Sequence, residues 1–254
     1  MTIHNLACGQ LRARRSGAGK PILLLHSLLA DSSSWSGLAP LLEGLAEIIV
    51  LDLPGFAGLP PIEGGLRPIA AALSTAITEL DLPSAPMIIG NGFGSFLALQ
   101  LALDHPDQVG ALTLIGAGLR FTEPGRAAFR AMREAAQANG LAAIADTAMA
   151  RLFGAAFRAD YPNLIAERRL AFLRTNPTQF NAACTALETL DFTAEIHRLA
   201  LDTRILVGAE DQATPPAMAQ ALAEAVPHAQ LTILAGLAHV PQLQDPAALA
   251  ALIR

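Results

Sequence analysis

Short apolar segments of strand length recur along the chain, and helix-length segments separate them. Six of these segments are almost continuously apolar: 21–27, 47–55, 86–92, 109–118, 203–211 and 229–239. Continuous rather than alternating apolar character is typical of strands that are covered on both faces. Helical patterns cover 68–80, 94–104, 216–226 and 246–253. This alternation predicts an α/β fold with a mostly parallel central sheet and helices on both faces.

One interval, 119–200, breaks the alternation because it carries helical patterns and no convincing strand. It is predicted to be an all-helical insertion after the fourth of the six predicted strands. Sheets of this type bind ligands outside the carboxyl ends of their strands, so we expect the insertion to form a cap or lid over that edge. Residues 1–118 and 201–254 would then form one core domain. The alternative is a second helical lobe that only thickens the core.

Composition narrows the function classes. The chain has 254 residues, 52% of them hydrophobic, and a net charge of −5, which suits one large globular domain. Its basic residues are scattered, so nucleic acid is not an expected partner. No apolar run approaches the roughly 18 residues that span a bilayer, and no secretion signal opens the chain. We therefore expect a cytoplasmic protein with a small-molecule substrate and no membrane contact, and homodimer formation stays open.

The two cysteines, Cys8 and Cys184, lie far apart and form no metal-binding spacing. No metal or other cofactor is predicted. Candidate chemistry lies instead at the carboxyl ends of the predicted strands. The motif "HSLL" (26–29) follows the first of them, "GNGFG" (90–94) the third, "GAEDQATPP" (208–216) the fifth and "GLAH" (236–239) the sixth. This order of nucleophile position, acid and histidine resembles the α/β-hydrolase fold, and the resemblance covers nearly the whole chain.

Within that fold the chain resembles the 3-oxoadipate enol-lactonase group. The resemblance rests on "LDLPGFAGLP", on the long segment that begins "GAEDQATPP", and on "GLAAIADTAMARLFGAAFRADYP" and "TNPTQFNAACTALETLDF" in the insertion. The insertion narrows the choice, because esterases, haloperoxidases and C–C hydrolases share the core motifs. The resemblance implies a cofactor-free serine hydrolase that opens a lactone ring.

The resemblance also implies roles for individual residues. His239 would be the general base, and Asp211 would accept from its other ring nitrogen and fix the tautomer. An ordinary turn aspartate is the alternative for Asp211. The backbone N–H groups of Leu28 and Phe93 would form the oxyanion hole. His26 is expected to be a structural hydrogen-bonding residue, and the position after it, usually glycine in the family, is serine here.

The nucleophile position itself holds glycine. The family pattern G-x-S-x-G is Gly90-Asn91-Gly92-Phe93-Gly94 in this chain, so the flanking glycines are present and the serine is absent. The flanking glycines suit the tight turn between strand and helix. Glycine at the strained central position removes on the order of 1–2 kcal/mol of strain. Gly92 therefore preserves the fold but supplies no hydroxyl for acyl-enzyme chemistry.

Three other residues are candidate nucleophiles. Ser95 is expected to pack helix against sheet, one turn beyond Gly92. Ser27 lies beside the expected oxyanion hole, but His239 is the one base within its expected reach. Cys184 in the insertion would need an activated thiol, for which the sequence gives no sign.

The preferred hypothesis is a hydrolase of a small lactone or ester. In it His239, held by Asp211, activates a water molecule in the space left by the missing side chain of Gly92. Three alternatives stay open at this stage. They are a cofactor-free lyase, isomerase or cyclase, a ligand-binding protein without turnover, and an engineered replacement of serine by glycine.

Substrate contacts are predicted at Ser27, Leu152 and Phe153, under apolar side chains that also include Phe129 and Phe157. An acidic lactone would require a cation from the insertion. The spacing selects none of the six candidates, which are Arg120, Arg126, Arg130, Arg133, Arg151 and Arg158. Leu152 and Phe180 stand where larger or more polar aromatic residues are expected, so a less polar substrate stays open.

Overall fold

An eight-stranded sheet runs through the centre of the protein, whose computed structural model describes residues 2–253. Met1 and Arg254, which end the predicted core segments, lie outside the described residues. The strands are β1 (Thr2–Leu6), β2 (Leu11–Gly17), β3 (Pro21–Leu25), β4 (Glu47–Asp52), β5 (Met87–Asn91), β6 (Ala111–Ile115), β7 (Thr203–Gly208) and β8 (Gln230–Leu234). Their spatial order is β1-β2-β4-β3-β5-β6-β7-β8. β2 pairs antiparallel with β1 and β4, and the other neighbours are parallel, which confirms the predicted mostly parallel sheet.

Helices cover both faces of this sheet. They are α1 (Ala39–Leu42), α2 (Leu66–Glu79), α3 (Phe93–Asp104), α4 (Glu123–Asn139), α5 (Ala145–Leu152), α6 (Ala155–Asp160), α7 (Pro162–Leu173), α8 (Pro177–Glu188), α9 (Pro216–Ala225), α10 (Pro241–Gln244) and α11 (Pro246–Ile253). Leu23 and Leu25 of β3 pack into the core that includes α2 and α3, whereas Ile22 and Leu24 pack into the core that includes α1 and α11. Successive strand residues thus face opposite layers, as the pleat requires.

Two observed strands were not predicted, and one predicted strand is less covered than expected. The search for continuous apolar segments did not identify β1 or β2. In β2 apolar and charged residues alternate: Leu11 and Ala13 are buried, and arginines lie between and beyond them. β8 was expected to be covered on both faces, yet Gln230 and Ile233 are exposed. β8 is the last strand of the sheet, so one of its edges has no neighbouring strand.

A buried carboxylate ties β2 to β4. Asp52, at 1% exposure, accepts from Arg12 Nε at 2.9 Å and Arg14 Nη1 at 3.0 Å, and also from the hydroxyl of Ser32. Burial alone would raise the pKa of Asp52. The hydrogen bonds from Ser32, Arg14 and Arg12 outweigh burial and hold the pKa below its ordinary value.

Replacing Asp52 with asparagine is expected to lower the free energy of unfolding by about 2 kcal/mol at neutral pH, because two arginines lose a buried partner but still reach water. The pKa of Asp52 is lowered in the folded state, so its stabilisation is present above the unfolded-state pKa and is lost as pH falls through the folded-state pKa. Urea unfolding at several pH values measures this. Asp202→Asn, at an exposed position, is the matched control. A difference between Asp52→Asn and the parent that grows on acidification would contradict the assignment.

The segment between β6 and β7 contains α4–α8, and the described residues of this segment form no strand. Arg120 and Asp191 form a single antiparallel bridge near its two ends. The backbone N–H of His239, beyond β8, donates to the carbonyl of Leu152 at the end of α5, at 3.2 Å. The helices therefore contact the carboxyl edge of the sheet. None of the helices described for residues 2–253 has the length and apolar character needed to cross a bilayer.

Candidate active site

The loops after β7 and β8 bring an aspartate and a histidine together. His239 Nδ1 lies 2.8 Å from Asp211 Oδ2, and the two residues are 4% and 3% exposed. Their strands are parallel neighbours, paired from Arg204 with Gln230 to Gly208 with Leu234. Both loops consequently leave the sheet at the same edge, and the contact predicted from the sequence is present.

The carboxylate of Asp211 is fully hydrogen bonded. Oδ1 accepts from the backbone N–H groups of Ala213 at 2.8 Å and Thr214 at 2.9 Å. Oδ2 accepts from His239 and from the Thr214 hydroxyl, which is 2.8 Å away. Burial would raise the pKa of Asp211, but the neighbouring His239 and the bonds from Thr214 lower it below its ordinary value. Asp211 is therefore ionised beside the imidazole.

Three residues that hold the aspartate–histidine pair in place were missed in the sequence. Thr214 bonds Asp211, and its hydroxyl also lies 3.2 Å from His239 Nδ1. Asn91 Nδ2 donates to the backbone carbonyl of His239 at 2.8 Å, and Gln242 Nε2 donates to Asn91 Oδ1 at 3.0 Å. The sequence offered one signal for the positioning role of Asn91, which is the polar residue between the two glycines of "GNG".

The turn between β5 and α3, residues 90–94, has the backbone of a nucleophile elbow. Gly92 has φ +52° and ψ −113°, a conformation that L side chains rarely adopt. A Cβ on Gly90 would lie 2.5 Å from backbone atoms of Gly94 and Ser95, so helix and strand approach too closely for a side chain there. The tight turn is thus retained, and glycine at position 92 adopts its positive φ without the strain that a serine would have there.

Two side chains occupy the space beside Gly92. A Cβ built on Gly92 would lie 2.6 Å from His239 Nε2 and 2.7 Å from the hydroxyl oxygen of Ser27. The two atoms are themselves 3.3 Å apart. The space that was expected to hold a water molecule in place of a serine side chain is therefore partly filled by Ser27, and a water would have to lie further out.

The expected oxyanion donors lie on either side of this pair. Phe93 is the first residue of α3, and Leu28 follows Ser27 in the chain. Neither backbone N–H donates to an acceptor within residues 2–253. The partial positive charge of the α3 N-terminus adds to the attraction for an anion at that point.

His26 is a structural residue in this geometry. Its Nδ1 lies 3.0 Å from the carbonyl oxygen of Ser27, and its Nε2 accepts from the N–H of Leu53 at 3.3 Å. The ring is fully buried and meets the ring of Phe56 edge-on at 4.4 Å. Burial lowers its pKa, so the imidazole is neutral. Both ring nitrogens are occupied, which leaves neither for proton transfer.

A small cavity of about 30 Å³ adjoins these groups. Its lining includes Ser27, Gly92, Phe129, Arg151, Thr214 and His239. One water molecule needs roughly 10–15 Å³ of cavity volume, so the cavity has room for about two water molecules. Ligand pockets are typically some tenfold larger, on the order of 300 Å³ or more. The cavity is therefore smaller than the volume that a drug-sized ligand occupies.

Leu152 and Phe153, two of the predicted substrate contacts, do not line this cavity. Both side chains are buried in the core, and Phe153 stacks on Phe157 at 5.4 Å, a residue that also does not line the cavity. Leu152 reaches the site only through the carbonyl that accepts from His239. The end of α5 turns these side chains into the helical layer, away from the cavity, whereas Ser27 and Phe129 line it, and substrate contact by these residues stays a prediction.

Of the six candidate arginines, Arg151 lines the cavity and the other five do not. Arg130 and Arg133 pair with Glu188, and Arg120 lies 3.8 Å from Asp191. The Arg151 guanidinium lies 5.4 Å from the ring centre of Phe129 and has no hydrogen bond or ion pair within residues 2–253. Burial lowers its pKa, although the charge of Asp211 acts in the opposite direction.

Ser95 and Cys184 do not lie at the cavity. Ser95 Oγ donates to the carbonyl of Ile115 at 2.9 Å and accepts from its N–H at 3.0 Å, which fixes α3 to β6. Burial raises the pKa of the Cys184 thiol to about 12, so it is not a thiolate. Phe180 is fully buried, with its ring 5.7 Å from that of Phe172. These residues are part of the packing.

Comparisons with known proteins agree with this geometry. The sequence profile described as the alpha/beta hydrolase family matches residues 22–252. The chain belongs to the alpha/beta hydrolase family. Among curated relatives, a pimeloyl-[acyl-carrier protein] methyl ester esterase of Neisseria meningitidis serogroup B is 29% identical over 96% of this chain and 95% of its own. The predicted α/β-hydrolase fold is confirmed.

Solved structures of this family superpose closely on the chain. A thermophilic esterase from Thermogutta terrifontis has a TM-score of 0.87 at 25% identity, covering 96% of this chain and 91% of its own. The enol-lactonase of Burkholderia xenovorans LB400 has a TM-score of 0.89 at 21% identity, covering 96% and 94%. The second comparison concerns the fold alone. Within the alpha/beta hydrolase family, this chain has glycine, Gly92, at the nucleophile elbow.

Proposed function

We propose that the protein is a cofactor-free hydrolase of carboxylic esters or lactones, with His239 as general base. The observation that carries the proposal is the buried 2.8 Å contact between His239 Nδ1 and the ionised Asp211, beside two unpaired backbone N–H groups. A curated relative is named a methyl ester esterase and a structural neighbour an enol-lactonase, which supports the ester and lactone class.

Besides one water molecule, the reactant of any hydrolysis, the proposed chemistry needs only groups of this chain. His239 Nε2 takes the proton of the attacking hydroxyl, and Asp211 stabilises the imidazolium that forms. The N–H groups of Leu28 and Phe93 bind the oxygen that becomes negative, each worth about 10²–10³ in rate. His239 then protonates the leaving oxygen. The proposed cap, residues 119–200, would limit bulk water at the site during these steps while the reacting water molecule stays inside.

For the substrate we propose an ester or lactone that carries a carboxylate. Arg151 is the cation at the cavity, and its guanidinium makes no hydrogen bond or ion pair within residues 2–253, although the charge of Asp211 acts on it. The guanidinium is partly buried at the cavity, and a substrate carboxylate would accept paired hydrogen bonds from its N–H groups. The apolar wall that includes Phe129 suits the carbon skeleton of the substrate.

Replacing Arg151 with methionine is expected to raise KM for a carboxylate-bearing ester by about 10- to 100-fold, since a charge-assisted hydrogen bond is worth roughly 1.5–3 kcal/mol. KM for the matched neutral ester should change little. Steady-state kinetics on the two esters measure the difference. Arg120→Met is the control, because that side chain is exposed and lies away from the cavity. Equal changes for both esters would exclude a carboxylate site.

Assaying the purified protein against paired acidic and neutral esters and lactones tests the proposed function. Hydrolysis that depends on His239 is the expected result. If no member of the panel is hydrolysed and a member still raises the melting temperature, the protein binds such compounds without turnover, and the hydrolase proposal fails. Isomerisation or cyclisation of a lactone without release of acid would favour the lyase and isomerase class instead.

A further inference from the structure

We propose that Ser27 is the nucleophile of this site. The hydroxyl that the family pattern places at the elbow would be supplied here by the loop after β3, in a triad of Ser27, His239 and Asp211. The proposal rests on the proposed hydrolase function, because it assigns the attacking group of that reaction.

The first argument is the position of the hydroxyl. Ser27 Oγ is 3.3 Å from His239 Nε2, the ring nitrogen that faces away from Asp211. No other hydrogen bond of this oxygen is found among residues 2–253. Ser27 is 2% exposed and lines the cavity beside the unpaired N–H of Leu28. A distance of this size is usual before substrate binds, since catalytic hydrogen bonds often shorten only in the complex.

The second argument is that Ser27 and Gly92 exchange the residue types of the family pattern. Glycine is usual after the histidine at position 26 and serine is usual at the elbow, whereas this chain has the reverse. The exchange is sterically reciprocal, because a Cβ on Gly92 would lie 2.7 Å from Ser27 Oγ. Glycine at the elbow therefore gives the Ser27 hydroxyl its place next to His239.

The sheet topology explains why the nucleophilic hydroxyl can be supplied by either of two loops, the one after β3 or the one after β5. β3 and β5 are parallel neighbours, and Leu25 pairs with Gly90 at their carboxyl ends. The residues that follow, Ser27 and Gly92, thus leave the same edge side by side. Both face His239, which comes from the loop after β8, so one base serves either position.

The backbone of Ser27 is held firmly, as a nucleophile requires. Its carbonyl oxygen lies 3.0 Å from His26 Nδ1 and accepts from the N–H of Ala30 at 3.2 Å. His26 is in turn fixed by the N–H of Leu53. The buried histidine before Ser27 consequently acts as a positioning residue for the attacking group.

The reaction then follows two balanced steps. Ser27 Oγ attacks the carbonyl carbon, its proton passes to His239 Nε2, and the N–H groups of Leu28 and Phe93 bind the oxyanion. Collapse breaks the bond to the leaving oxygen, which takes the proton from His239, and leaves an acyl ester on Ser27. Water attacks that ester with His239 again as base, which releases the acid and restores Ser27.

Five proteins test the proposal: the parent, Ser27→Gly, Ser27→Ala, Gly92→Ser and the double variant that carries Ser27→Gly and Gly92→Ser. Each is treated with an alkyl fluorophosphonate, which forms a covalent bond with activated serines, and the modified residue is located by peptide mass spectrometry. The parent should be labelled at Ser27. Ser27→Gly should lose the label and at least about 10³-fold in ester hydrolysis. The double variant should regain label and activity, with the label at position 92.

Two results would overturn the assignment of Ser27. One is a parent protein that carries no label at this position under conditions that label a control serine esterase. The other is Ser27→Gly and Ser27→Ala proteins that keep more than a tenth of the parent rate and depend on His239, which would make water the nucleophile. These outcomes differ from failure of the proposed function, in which the parent hydrolyses nothing. Fluorophosphonate labelling still shows whether Ser27 is activated when the parent hydrolyses none of the esters. Circular dichroism shows whether each variant is folded.

Discussion

Replacing His239 with glutamine is expected to lower kcat for ester hydrolysis by at least about 10³-fold. Glutamine can still donate to the carboxylate of Asp211, but it cannot accept a proton at neutral pH. The Ser27 hydroxyl then lies beside a group that does not activate it. Steady-state and single-turnover kinetics on the best ester of the panel measure the loss.

His197→Gln is the matched control because it makes the same change at an exposed position. That variant should keep the parent rate. A His239→Gln protein with more than a tenth of the parent activity would place the hydrolysis at another site or in a contaminating enzyme. The two variants should unfold at similar temperatures, since neither change removes an apolar side chain from the core.

The order of motifs along the chain was enough to predict the edge of the sheet at which the site lies. Parallel strands that run continuously apolar have their carboxyl ends at one edge, so residues 26, 92, 211 and 239 had to approach one another. The predicted contact between Asp211 and His239 followed from that geometry. A strand such as β2 was missed because its charged residues pair with Asp52, on the next strand in space, which local sequence does not show.

The details of the site depend on tertiary positions that no local pattern encodes. Local sequence does not identify Ser27 as a partner of His239, because three loops set the distance between them and 212 positions separate the two residues in the chain. Arg151 could not be distinguished from its neighbours because the orientation of α5 decides which arginine faces the cavity. Leu152 was expected to offer its side chain and instead offers its carbonyl.

The same bond between Leu152 and His239 couples the helical insertion to the proposed base. The N–H of His239 donates to the insertion, while its carbonyl accepts from Asn91 in the elbow. Arg151 of α5 lines the cavity next to His239, so the position of α5 affects both the cavity and the backbone of the proposed base.

Replacing Asp211 with asparagine is expected to lower kcat by about 10⁴-fold, because it would impose the wrong histidine tautomer. Oδ1 of Asp211 accepts two backbone N–H bonds, from Ala213 and Thr214. The amide oxygen of asparagine must accept these two bonds, because the NH₂ group cannot. This orientation turns the NH₂ group towards His239 Nδ1. Nδ1 then accepts, the ring proton moves to Nε2, and Nε2 cannot take the proton of Ser27 or of a water.

Thr214→Val is the control for this change, since it removes one hydrogen bond to Asp211 Oδ2 and leaves the charge and the tautomer in place. Its kcat should fall only about tenfold, the value of one hydrogen bond of roughly 1–1.5 kcal/mol. The parent carboxylate is ionised at neutral pH because its pKa is lowered, so the comparison is made there. Equal losses in the two variants would mean that Asp211 contributes packing and hydrogen bonding without controlling the tautomer, and His239 would then not be held as a base.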